Sequence, residues 1–108
     1  MNWRLPYLVL ALCLILPEVA AAQMSPGEQR GQTFVRANCS TCHATDKLSA
    51  SPLKIAPPFR ELHLRYPVEN LQEALVEGIR TGHVNMPEFR LDAGQASDVI
   101  AYLKTLER

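Results

Sequence analysis

Little in this sequence could staple or fill a small domain. Three cysteines, one tryptophan and 6% aromatic residues are spread over 108 positions, a length below that at which chains divide into two domains. Cys13 lies in an apolar leader, which leaves Cys39 and Cys42. A bridge between those two would enclose too short a loop to stabilise much, because the gain grows with the chain enclosed. Past the leader the aromatics are Phe34, Phe59, Tyr66, Phe89 and Tyr102, a thin supply for a chain near the lower size limit of a self-sufficient core. The formal charge is zero, so the broad positive field of a nucleic-acid-binding protein is missing. No stretch alternates apolar and polar residues as a half-buried strand would, no repeat occurs, and no glycine loop could cradle a phosphate. An all-α chain remains, with a core that needs something bulky besides its own side chains.

The first residues read as a secretory signal. Arg4 precedes the apolar run LPYLVLALCLIL, and Ala20, Ala21 and Ala22 offer the small residues that signal peptidase prefers. The run covers about 12 residues against the roughly 20 needed to span a bilayer, and Pro17 and Glu18 interrupt it. Residues 1–22 are therefore expected to be cleaved, leaving one domain over residues 23–108, with no membrane span and a periplasmic location. Leu12 stands where a lipidated Cys13 would need a small residue, so Cys13 is discarded with the leader. Cleavage removes only Arg4 and Glu18 among the charges, and the remainder stays neutral.

Three helices are expected. From Ser25 to Asn38, Ser25 can cap, Pro26 suits the first turn, and Glu28 completes a capping box. Gly31 and Phe34 share a face there, and a glycine inside a helix suggests close approach of another backbone. From His43 to Pro58, small and polar residues with Pro52, Pro57 and Pro58 make a long loop of the kind that wraps something. Pro67 opens a second helical pattern with Val68, Leu71, Leu75 and Ile79 on one face, for which Gly82 is a plausible stop. A loop with His83, Met86 and Pro87 follows. Asp92, with Gln95 three residues on, caps a last helix with Val99, Ile100, Leu103 and Leu106 on its apolar face and Tyr102 on the flank.

The chemistry concentrates at Cys39-Ser40-Thr41-Cys42-His43. Two thiols three positions apart can each add across a vinyl group of haem, and a histidine directly after the second can reach the iron through Nε2. A thioredoxin-like dithiol would need a βαβ setting, a zinc site would need two further soft ligands, and a disulfide would leave His43 unexplained. For the opposite face of the iron the sequence offers Met86, His63 and His83. Met86 could equally be an apolar contact, and the two prolines 57 and 58 could simply shape a loop.

With these segments in order, the chain resembles the class I cytochrome c family over nearly all of residues 23–108. A first helix runs into CSTCH, APPF follows, MPEF comes next, and DVIAYLKTL ends the chain. The resemblance implies the class I fold, three main helices with long loops wrapped around one covalent haem c. It also implies that Met86 is the sixth ligand opposite His43, and that the Pro57 carbonyl accepts a hydrogen bond from the Nδ1 of His43. Ala56 departs from the family's usual glycine. Gly31 and Phe34 against Val99, Tyr102 and Leu103 match the family's crossing of first and last helices.

If both His43 and Met86 bind, no position is open to substrate, and the expectation is an electron carrier rather than an enzyme. It would be a periplasmic monomer meeting redox protein partners briefly. A dedicated haem subunit of a periplasmic dehydrogenase or oxidase complex is the alternative, and a gas sensor or haem enzyme with an open distal site is a further one. Lys47, Lys54 and Lys104 are the only lysines, so strong steering is not expected from the total charge, although Arg60, Arg65, Arg80 and Arg90 could form a local patch.

Overall fold

A computed structural model describes residues 23–78 and 85–108. The expected signal segment, Ile79, Gly82 and His83 lie outside these residues. Three α-helices occur among them: α1 (Pro26–Asn38), α2 (Leu71–Glu77) and α3 (Ala93–Thr105), with short 3₁₀ helices at Phe59–Leu64 and Val68–Asn70.

Local chemistry starts both long helices where the sequence places their caps. Ser25 Oγ accepts from the Glu28 N–H at 3.2 Å, and the Glu28 carboxylate accepts from the Ser25 N–H at 2.8 Å. Asp92 and Gln95 make the same reciprocal pair at the head of α3, at 2.8 and 3.3 Å. Each box satisfies two backbone donors that helix geometry leaves without partners.

The two helices then cross at Gly31. A Cβ there would collide with the Asp98 carbonyl and lie 2.9 Å from the Tyr102 Cβ, so only glycine permits the approach. One residue earlier, Arg30 binds Asp98 through Nε at 2.7 Å and Nη2 at 2.9 Å. Val35, Leu62, Val68, Leu91, Ala96, Val99, Ile100, Tyr102, Leu103 and Leu106 form the core, with Phe34 half-buried beside it. Val35 and Ala96 are fully enclosed. Tyr102, expected on the flank of α3, is only 3% exposed.

The second helical region differs from the sequence expectation. It opens with 3₁₀ geometry after Pro67, and α2 ends at Glu77 with Gly78 as its C-cap rather than running on to Gly82. Gly78 has φ 103°, a backbone that costs an L side chain energy but glycine almost nothing. A Cβ on it would meet Glu88 Oε1 at 2.5 Å. The chain returns past this end of α2, and the Leu91 N–H bonds to the Leu75 carbonyl at 2.8 Å. Among the described residues, no helix is long and apolar enough to cross a membrane.

Candidate functional site

The end of α1 shapes the motif. Cys39 is the C-cap, its N–H bonded to the Val35 carbonyl at 2.8 Å, and the Cys39 carbonyl accepts from Cys42 N–H at 3.2 Å and His43 N–H at 3.0 Å. These bonds continue a helical turn, so residues spaced three and four apart point the same way. Cys39, Cys42 and His43 accordingly line one cavity of about 600 Å³, within the roughly 300–1,000 Å³ usual for cofactor pockets.

Two other segments complete its wall. Leu53, Ile55, Ala56 and Pro57 face it from the loop that follows the motif, and Asn85, Met86, Pro87 and Phe89 from the segment before α3. Met86 therefore reaches the same space as His43. His63 is on the 3₁₀ helix Phe59–Leu64 and is not part of this lining. Its Nδ1 is buried without a hydrogen-bond partner among the described residues. His83 lies outside the described residues.

His43 is held on two sides. Its Nδ1 lies 2.8 Å from the Pro57 carbonyl oxygen. A carbonyl only accepts, so Nδ1 is the donor, and in the neutral imidazole this leaves the lone pair on Nε2. The Phe59 ring packs against the imidazole at a centroid separation of 4.6 Å and an interplanar angle of 34°, which limits its rotation. Sequence reasoning assigned Phe59 no such contact, since nothing in APPF shows which way its ring turns.

The loop carrying Pro57 is tied back to the motif. The Leu53 N–H bonds to the Cys42 carbonyl at 3.1 Å, and the Phe59 N–H to the Ala44 carbonyl at 2.9 Å. Ser51 Oγ accepts from the Ala44 N–H at 3.0 Å. Ala56, which departs from glycine, is buried, and no non-glycine residue described has positive φ. The turn therefore needs no glycine freedom at that position.

The cysteines are free thiols, each half-buried. Burial pushes the Cys39 thiol up to about 11. A redox-active dithiol works through a thiolate of lowered pKa, so this environment argues against thiol–disulfide exchange. On the facing side, Phe89 meets Phe34 edge to face at 6.2 Å and 77°, which anchors the Met86 segment to α1.

The charged groups of known shift lie away from the cavity lining. Asp46 accepts from the Ser49 hydroxyl and from the Ser49 and Leu48 N–H groups, which hold its carboxyl down to about 2. Lys104 bonds Glu69 across the α3 surface, and the pair lowers the carboxyl and raises the ammonium.

A family model described as Cytochrome c matches residues 28–107, from the first turn of α1 to the end of the described α3 region. Searches among curated proteins and among solved structures gave no match. The match takes in both capped helices, the motif and the loops that enclose the cavity. This all-α chain accordingly belongs to the cytochrome c family, whose members bind covalently attached haem c and transfer electrons.

Proposed function

We propose that the chain is a periplasmic one-electron carrier in which Cys39 and Cys42 hold haem c through thioethers and His43 and Met86 take the two axial positions. One observation carries this reading: His43, with Nδ1 tied to Pro57, and Met86 line the same cavity from separate segments.

The residues fit such a group. The walls are predominantly apolar, and Ile55, although part of the lining, is 68% exposed. A large flat apolar group seated there would take such surface out of water. The two cysteines line the cavity together with His43. When bound, haem would supply one-electron exchange at iron, and with both His43 and Met86 as ligands the iron would have no place for substrate.

The chain's own residues do the rest. The Pro57 carbonyl keeps His43 in the tautomer whose Nε2 can donate, and raises its basicity. Met86 supplies a soft thioether that favours the reduced state over a second imidazole. With the group seated, Leu53, Ile55, Ala56 and Phe89 would cover it from water, which would keep reorganisation small. Periplasmic location is supported by the leader-like pattern of residues 1–22 and by the extracytoplasmic habit of the family. The protein acts as a monomer that meets donor and acceptor proteins transiently, through a small contact area.

The test is the Met86→Ala holoprotein. The wild type should show the ferric charge-transfer band of methionine ligation and resist carbon monoxide when reduced. The variant should lose the band, bind carbon monoxide and fall in reduction potential. An unchanged spectrum and potential would remove Met86 as the ligand and, with it, the carrier reading.

A further inference from the structure

The Tyr102 hydroxyl donates a hydrogen bond of 2.5 Å to the Thr45 carbonyl, joining residues 57 positions apart. Both ends are out of solvent, with Tyr102 3% and Thr45 8% exposed. Thr45 is two residues past His43. Each residue of His43–Thr45 is thus held from elsewhere: the imidazole by Pro57, Ala44 by Ser51 and Phe59, and Thr45 by Tyr102. The first three partners lie in the same loop as the segment they hold or in the first residue of the 3₁₀ helix that ends it. Tyr102 alone among them ties it to the helix crossing.

We propose that Tyr102 is a positioning residue for His43, setting where the histidine-bearing backbone sits relative to α1 and α3; the proposal rests on His43 being the iron ligand. Gly31 is what gives the hydroxyl its reach. With the Tyr102 Cβ 2.9 Å from where a Cβ on Gly31 would be, the crossing is as close as backbones allow. A longer crossing would withdraw the hydroxyl from Thr45. Without that donor, a buried carbonyl is left unsatisfied, and the segment gains by moving toward water. That movement pulls on Ala44 and turns the imidazole away from Pro57. A tyrosine present only for its volume would be replaced by phenylalanine without loss, because the ring remains and a polar group is removed from the core.

The experiment compares Tyr102→Phe with Val99→Ala in the holoprotein, Val99 being a core residue of the same helix. Proton NMR of the reduced protein gives the exchange rate of the His43 Nδ1–H relative to the Val35 amide, and voltammetry gives the potential. In Tyr102→Phe the ratio should rise roughly five- to thirtyfold and the potential should move. In Val99→Ala both protons should speed up together, with the ratio and potential unchanged. A wild-type ratio and potential in Tyr102→Phe, or an equal change in Val99→Ala, would overturn the proposal. If Tyr102→Phe does not mature, the wild type still decides: the Tyr102 hydroxyl proton and the His43 Nδ1–H should exchange in one opening event, and unrelated rates would refute the coupling. Absence of ring-current-shifted His43 signals in the wild type would instead mean that His43 is not the ligand.

Discussion

The two walls of the cavity are built differently. On the side of Cys39–Phe59, nearby backbone groups are tied to one another at short range, and the buried Tyr102 adds a tie from α3. The Met86 wall depends, among the described residues, on contacts at its C-terminal end: Phe89 on Phe34, Leu91 on Leu75, and Glu88 over Gly78. A wall held by many local bonds can keep an imidazole at one angle through repeated oxidation and reduction. The Met86 wall is instead tied, through these contacts, to α1 and to the end of α2. The histidine side is thus tied mainly within its own loop, and the Met86 side to the helices around it.

The largest effect should come from removing the attachment itself. Cys39→Ala combined with Cys42→Ala should abolish all haem that survives denaturing electrophoresis, measured by haem staining, whereas Met86→Ala should leave that signal intact. Staining retained in the double variant would show that attachment does not run through this wall.

Gly31→Ala should injure both walls at once, because the crossing carries Phe34 toward one and Tyr102 toward the other. The added methyl meets backbone rather than a movable side chain, so the loss should lie at or above the upper end of about 1–3 kcal/mol, read as a lower urea midpoint. A midpoint like that of the wild type would mean that the helices can separate without harm.

Gly78→Ala should separate the walls. Placing a side chain at φ 103° costs about 1–2 kcal/mol, and the displaced Glu88 should loosen Met86 and speed carbon monoxide binding to the reduced protein. Exchange of the His43 Nδ1–H should stay as in the wild type; an equal change on the histidine side would erase the distinction drawn here.

The smallest effect concerns the outer edge of the histidine wall. The Asp46 carboxyl is held down to about 2 by its bonds to Ser49 and Leu48, below the roughly 3.9 of a free aspartate. A lowered folded value means stability that is present above about pH 4 and lost as pH falls through about pH 2. Asp46→Asn should flatten this part of the stability profile in urea titrations across that window. An unchanged slope would show that the turn does not contribute.

Much of this architecture was legible before any coordinate. Ser25 with Glu28 and Asp92 with Gln95 are local signals, since a cap and its partner three residues on need nothing from the rest of the chain. The cysteines and His43 were equally plain, because their spacing is their geometry once they sit on a helical turn. Gly78 was passed over as the end of α2, since an apolar pattern continuing to Ile79 in sequence says nothing of the chain returning past Glu77. Nothing local distinguishes Val35 from Phe34, although Val35 is the fully enclosed residue of α1, because which part of a helix faces inward depends on the angle at which its neighbour crosses.

Alone, the sequence determined the two long helices with their N-caps, the Cys-x-x-Cys-His motif and the residues available on either side of an iron, all properties of short-range spacing and side-chain chemistry. Only the tertiary structure decided that Met86 and not His63 shares the cavity with His43, that Phe59 limits the imidazole's rotation, and that Tyr102 reaches Thr45. Those facts depend on segments meeting across many residues, and the reach of Tyr102 also on the close crossing that Gly31 permits, which no local pattern records.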